Sequence, residues 1–121
     1  IVNLGSNDML RGLDPGLAHD NLKKILEILE VRRIKTLLVG HVAPLNYGAA
    51  YKERYDSAFQ ELAARYDVEF YPFYFETLMA SDGVTPDLHN YFQEDGLHPN
   101  ADGVAAVVAD MGPYVLRALD R

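Results

Sequence analysis

The chain has 121 residues, with 18 Asp plus Glu against 11 Lys plus Arg, a formal net charge of −7, and neither Cys nor Trp. Such a charge repels nucleic-acid phosphates and anionic membrane surfaces at long range; the lack of Cys excludes disulfides and thiolate metal sites while leaving the redox compartment open. No apolar run approaches the roughly 18 residues of a membrane span, so stable membrane insertion is not expected and the composition is that of one globular domain.

The first residues, Ile1-Val2-Asn3-Leu4, already read as a strand running into the loop Gly5-Ser6-Asn7-Asp8. A domain that starts inside a strand is expected to lack its front end. Asp14 as a cap and Pro15 at the first helical position then announce a helix, with Leu17, Leu22, Ile25, Leu26 and Leu29 as its inner face. The segment Thr36 to Val42 is apolar without alternation, as in a strand covered on both faces of a parallel sheet, and Pro44 stops it. After the loop Leu45 to Gly48 comes a second helix with the stripe Tyr51, Tyr55, Phe59, Leu62 and Tyr66 and a charged opposite face. Val68 to Phe73 is a third strand.

Ala80 to Gln93 reads as a long surface loop with one short helical turn. The last helix starts after Pro99-Asn100, burying Val104, Val107, Val108, Met111, Val115 and Leu119, with Gly112-Pro113 expected to bend or break it. No internal repeat, low-complexity stretch or linker suggests a second domain. Strands alternating with helices imply an α/β fold with three layers, α/β/α, around a parallel sheet. Ligands bind such sheets beyond the carboxyl ends of the strands, which singles out Gly5 to Asp8, Pro44 to Gly48 and the run leading to His98.

Two of these runs carry residues suited to chemistry. In Asp95-Gly96-Leu97-His98-Pro99-Asn100 a carboxylate three residues before a histidine on a turn can hold Nδ1–H and leave Nε2 free to accept a proton. The same pattern also fits a plain turn with an exposed histidine at the start of a helix. In Gly5-Ser6-Asn7-Asp8 an Asn amide can donate to an oxygen that becomes negative in acyl transfer, although all four residue types are also turn formers. His19, His41 and His89 have no metal-ligand spacing among them, so no metal is expected, and there is no Gly-rich phosphate loop.

With these blocks in this order, the sequence resembles the SGNH, or GDSL-type, hydrolases, nearest the bacterial acyl-CoA thioesterase, lysophospholipase and arylesterase group. The resemblance rests on Gly5-Ser6-Asn7-Asp8 for the family's Gly-x-Asn-Asp block and on Asp95, His98 and Pro99 for its Asp-x-x-His-Pro block. It extends to Pro44, Asn46, Tyr47 and Gly48 for a Pro-x-Asn-Tyr-Gly loop. It implies a flavodoxin-like fold, Asp95 and His98 as catalytic partners, Asn7 as an oxyanion donor, and a substrate near Gly5, Pro44, Asn46, Tyr47 and Leu97. Hydrolysis of a small acyl ester or thioester without cofactor is the activity implied.

The family's nucleophile lies in a Gly-Asp-Ser-Leu block that residues 1–121 do not contain, and Ser6, Ser57 and Ser81 do not follow a Gly-Asp pair. The resemblance therefore implies that residues 1–121 are the C-terminal part of a single hydrolase domain, inactive alone, with the serine upstream. The first two βα units would be missing, and an upstream segment or another chain would pair with strand 1–4. Relatives of this type are commonly periplasmic or secreted, with a cytoplasmic location as the alternative. Rival expectations are a nucleophile-less binding module on the same scaffold and a carbohydrate O-deacetylase of the same superfamily.

Overall fold

Three parallel segments form the sheet in the computed structural model, which describes residues 1–121. Strand β1, Leu37–Val39, pairs in parallel with β2, Glu69–Tyr71, in the register Leu38 opposite Phe70. On the other side of β1, Val2 forms a single parallel bridge to Leu38, donating to the Leu37 carbonyl and accepting from Val39. All three pieces are shorter than the sequence suggests. Thr36 through His41 are nonetheless buried, as a doubly covered strand requires.

The chain forms two compact units, Ile1–Phe73 with Tyr114–Arg121, and Tyr74–Pro113. In the first, helix α2, Pro15–Val31, begins as expected: the Asp14 carboxylate accepts from the Gly16 N–H and Pro15 needs no partner. It packs beside α3, Ala49–Arg65, and Tyr55, Phe59 and Leu62 of α3 meet Leu22 and Leu26 of α2 over Val2 and Leu38. Leu17 is an exception, half exposed, and the smaller Ala18 takes the buried position. Alternation along the strands turns Tyr71 to the opposite face, where its ring meets Tyr114 of the last helix edge-on at 5.0 Å. Arg117 then binds Glu69. Helices thus cover both faces of a parallel sheet.

Helix α5, Ala101–Asp120, runs through Pro113 instead of breaking there. Proline removes one N–H, so the Ala109 carbonyl loses its helical donor, while the flanking bonds continue. Its buried positions are Gly103, Val107, Met111 and Ala118, whereas Val104, Val108 and Leu119 are exposed and Val115 is half-buried. The helix is apolar on more than one side, and the face that carries Gly103 is the one that admits close backbone approach.

In the second unit the stretch Leu78 to Gly103 is a tandem repeat that the sequence did not disclose. Asp82-Gly83-Val84-Thr85-Pro86 and Asp95-Gly96-Leu97-His98-Pro99, thirteen residues apart, make the same turn. Each turn has a left-handed Gly, at φ 69° and 65°, and an antiparallel bridge, Met79 to Pro86 and Phe92 to Pro99. Each is followed by a cap: Asp87 for the short helix α4, Leu88–Tyr91, and Asn100 for α5, accepting from Asn90 N–H and Gly103 N–H respectively. The three residues identical within the five, Asp, Gly and Pro, are all common turn formers, so in sequence they read as two separate turns.

Candidate active site

The second turn holds the predicted carboxylate–imidazole pair. His98 Nδ1–H donates to Asp95 Oδ2 at 2.6 Å, while Asp95 Oδ1 accepts from the backbone N–H groups of Leu97 and His98 at 2.9 and 3.0 Å. Gly96, in the left-handed region, lets the chain fold back tightly enough for one carboxylate to reach all three donors. The His98 hydrogen bond, followed by the two backbone N–H groups, holds the Asp95 carboxyl down to about 2. His98 is exposed and its Nε2 makes no hydrogen bond within the chain, which leaves that nitrogen open to an incoming proton. Leu97, also exposed, stands beside it in the same turn.

The block at Gly5 differs from expectation. Residues Ser6–Leu10 form a helical turn, α1, rather than a loop. Gly5 at φ 108° bends the chain out of the Val2 segment, and Met9, buried in the core, anchors the turn. A Cβ on Gly5 would lie 3.3 Å from Phe59 Cζ and 3.4 Å from the Tyr55 hydroxyl, so the backbone here rests directly on the α3 aromatics. Asn7 is exposed on that turn and its carboxamide makes no internal hydrogen bond. A cavity of about 270 Å³ opens beside it, lined by Asn3, Leu4, Ser6, Asn7, Asn21 and Ile25 among others.

The Pro44 loop comes to the same end of the sheet, because the Val2 segment and β1 run parallel. Leu45–Tyr47 is one 3₁₀ turn between Pro44 and Gly48. Tyr47 donates to the Leu10 carbonyl at 3.1 Å and packs over Gly12, where a Cβ would fall 2.9 Å from its ring. Its ring begins an aromatic series, Tyr47, Tyr51, Tyr55, Phe59 and His41, with centroids 5.1 to 6.2 Å apart. Asn46 is exposed on the turn. Gly5, Asn7, Pro44, Asn46 and Tyr47 therefore belong to the first unit, and Asp95, Leu97 and His98 to the second.

Other residues that shape these loops went unremarked in the sequence. Asp56 accepts the Ala43 N–H at 2.7 Å and Lys52 donates to the Ala43 carbonyl at 2.8 Å, pinning the Pro44 loop to α3. Their four-residue spacing is the only local signal, and it reads equally as a solvated helix pair. His41, at the end of β1, is buried and donates from Nε2 to Asn3 Oδ1 at 2.7 Å. Burial lowers its pKa to about 4. His19 lies on α2 against Asp20, and His89 is exposed on α4. Tyr55, also buried, has a hydroxyl with no partner, and desolvation raises its pKa.

Comparison with known proteins shows the family. The sequence profile of the GDSL-like lipase/acylhydrolase family matches residues 1–106. The chain is 33% identical over 102 residues to thioesterase 1/protease 1/lysophospholipase L1 of Escherichia coli strain K12, covering 84% of this chain and 46% of that protein. It is 31% identical over 99 residues to esterase TesA of Pseudomonas aeruginosa, with 82% and 46% covered. The chain thus spans about half the length of the curated relatives it matches. Among solved structures it is similar to AlinE4, an SGNH-hydrolase family esterase, at 42% identity and TM-score 0.67 over 96% of this chain and 58% of that one. A TesA crystal structure gives TM-score 0.81 at 27% identity, over 96% and 61%.

Proposed function

The chain belongs to the GDSL-like lipase/acylhydrolase family, and from that premise we propose that residues 1–121 are the C-terminal part of a serine hydrolase domain that cleaves carboxylic ester or thioester bonds. The observation that carries this reading is the Asp95–His98 pair, a 2.6 Å contact that fixes the imidazole tautomer and leaves Nε2 open.

A serine outside residues 1–121 attacks the acyl carbon while His98 Nε2 takes its proton. Asp95 stabilises the imidazolium that results, and Asn7 offers an amide N–H to the oxyanion of the tetrahedral intermediate. His98 returns the proton to the departing alcohol or thiol. It then activates the water that releases the acid from the acyl-enzyme, and the serine is restored. No cofactor enters these steps. The acyl substrate lies near Gly5, Pro44, Asn46, Tyr47 and Leu97. Support for an upstream serine comes from the three serines present: Ser6 opens α1, Ser57 sits within α3 donating to the Arg54 carbonyl, and Ser81 lies in the first turn of the repeat.

The same reading gives the Val2 segment a strand partner in an upstream segment or another chain. Val2 spends its own N–H and C=O on β1, and the flanking Ile1 and Leu4 side chains are exposed. It also goes with a periplasmic or secreted location; no helix is long and apolar enough to cross a membrane.

Labelling of the intact protein with a fluorophosphonate, followed by peptide mapping, tests the proposal. A single labelled serine outside residues 1–121, and loss of turnover in His98→Ala with circular dichroism unchanged, is the expected result. Absence of any labelled serine would instead favour the nucleophile-free module.

A further inference from the structure

The tandem repeat allows the turn that carries His98 to be compared with a copy of itself that carries no imidazole. In the first turn Asp82 Oδ1 accepts from the Val84 and Thr85 N–H groups, both at 2.8 Å, and Oδ2 accepts from Thr85 Oγ1–H at 2.7 Å. The second turn repeats each bond with Leu97 N–H, His98 N–H and His98 Nδ1–H. The closing main-chain bonds also correspond: Ala80 N–H to Thr85 C=O with Gln93 N–H to His98 C=O, and Gly83 N–H to Ala80 C=O with Gly96 N–H to Gln93 C=O.

The copies differ in side-chain bracing. Gln93 Nε2–H donates to the Pro99 carbonyl at 3.0 Å, so one residue grips the consecutive carbonyls of His98 and Pro99. Its counterpart is Ala80, whose side chain has nothing to donate. The brace therefore belongs to the turn with the base and not to the turn architecture, which forms without it. Its physical use follows from exposure. The His98 side chain is 72% exposed, so packing does not lock the ring, and its direction depends on the backbone beneath it and on one bond to Asp95.

We propose that Gln93 is a positioning residue for the hydrolytic reaction: its side-chain amide, by holding the Pro99 carbonyl, sets the His98 backbone so that Nδ1 stays on Asp95 and Nε2 is presented in one direction. This rests on His98 acting as the base. Small losses of orientation at a reacting group reduce rate more than binding, because geometry is needed most in the transition state.

The test uses the intact protein and hydrolysis of a p-nitrophenyl ester. Gln93→Met keeps the length and removes the donor, Gln93→Ala copies the first turn, and Gln93→Lys restores a donor. We expect kcat to fall about tenfold in the Met and Ala variants with KM within about twofold, recovery of most of that loss in the Lys variant, and unchanged thermal midpoints. Nitrogen NMR of His98 should show a smaller Nδ1–H tautomer fraction in the Met variant. Unchanged kcat and tautomer in Gln93→Met, or equal losses in Met and Lys variants, would overturn the proposal. His98→Ala assayed alongside separates the two levels: normal turnover there removes the base assignment itself, and the proposal with it.

Discussion

His41 Nε2–H lies 2.7 Å from Asn3 Oδ1, a side-chain bond that ties the end of β1 to the neighbouring Val2 segment just before the two segments turn into the Gly5 and Pro44 loops. The ring is buried against Phe59, and burial sets its pKa at about 4, below the ordinary 6.5. Between those two values the unfolded chain binds a proton that the folded chain does not, so stability rises with pH across this window. Chemical denaturation should show a loss of at most roughly 3 kcal/mol from this group between pH 6.5 and 4. His41→Gln, which retains a donor for Asn3, should flatten that part of the profile; an equally steep profile in the variant would assign the dependence elsewhere.

Gly103 makes the second prediction. A Cβ at this position would lie 2.3 Å from the Tyr91 carbonyl oxygen and 3.1 Å from Pro99 Cβ. The first of these contacts is with backbone, which cannot swing aside as a side chain would. Gly103→Ala must therefore separate the first turn of α5 from the start of the His98 turn, breaking the Asn100 cap and the Asn100 N–H to Tyr91 C=O bond. A loss of several kcal/mol is expected, on the order of other severe steric changes. Thermal denaturation checks it, and Ala105→Gly on the exposed side of the same helix, costing about 1 kcal/mol, is the comparison.

Asp95→Asn separates hydrogen bonding from charge. The amide oxygen can still accept the Leu97 and His98 N–H groups, but an NH₂ facing the imidazole favours the tautomer with its proton on Nε2, the wrong one for a base. Turnover in the intact protein should fall roughly 10³–10⁴-fold with little change in fold. Measured turnover within tenfold of the parent would remove Asp95 from the catalytic set.

The same carboxylate has a pH signature. Its pKa in the folded chain is lowered from 3.8 to about 2, so its contribution to holding the turn is complete above the unfolded value and is lost as pH falls through about 2. The Asp95 carboxyl carbon shift, followed by NMR from pH 5 downward, should stay on its ionised plateau through pH 3; a midpoint near 4 would contradict the hydrogen bonding described.

Much of the molecule was legible in the residues because its signals are local. Asp14-Pro15 starts α2, the unbroken apolar run from Thr36 marks a covered strand, and Tyr55, Phe59 and Leu62 face inward at helical spacing. The spacing of Asp95 and His98 permitted the pair but fitted a plain turn equally well, and it was the order of the family blocks that singled it out. Tertiary structure decided what depends on distant neighbours. The buried side of α5 followed the close approach of Gly103 to Tyr91 and not the Val104, Val108, Leu119 side, since both are apolar and periodicity cannot choose between them. Gly40 has no Cβ because the Pro72 carbonyl would stand 2.1 Å from it, a constraint imposed from across the sheet. Gln93 is an ordinary polar residue until the chain returns at Pro99 and gives its amide a carbonyl to hold.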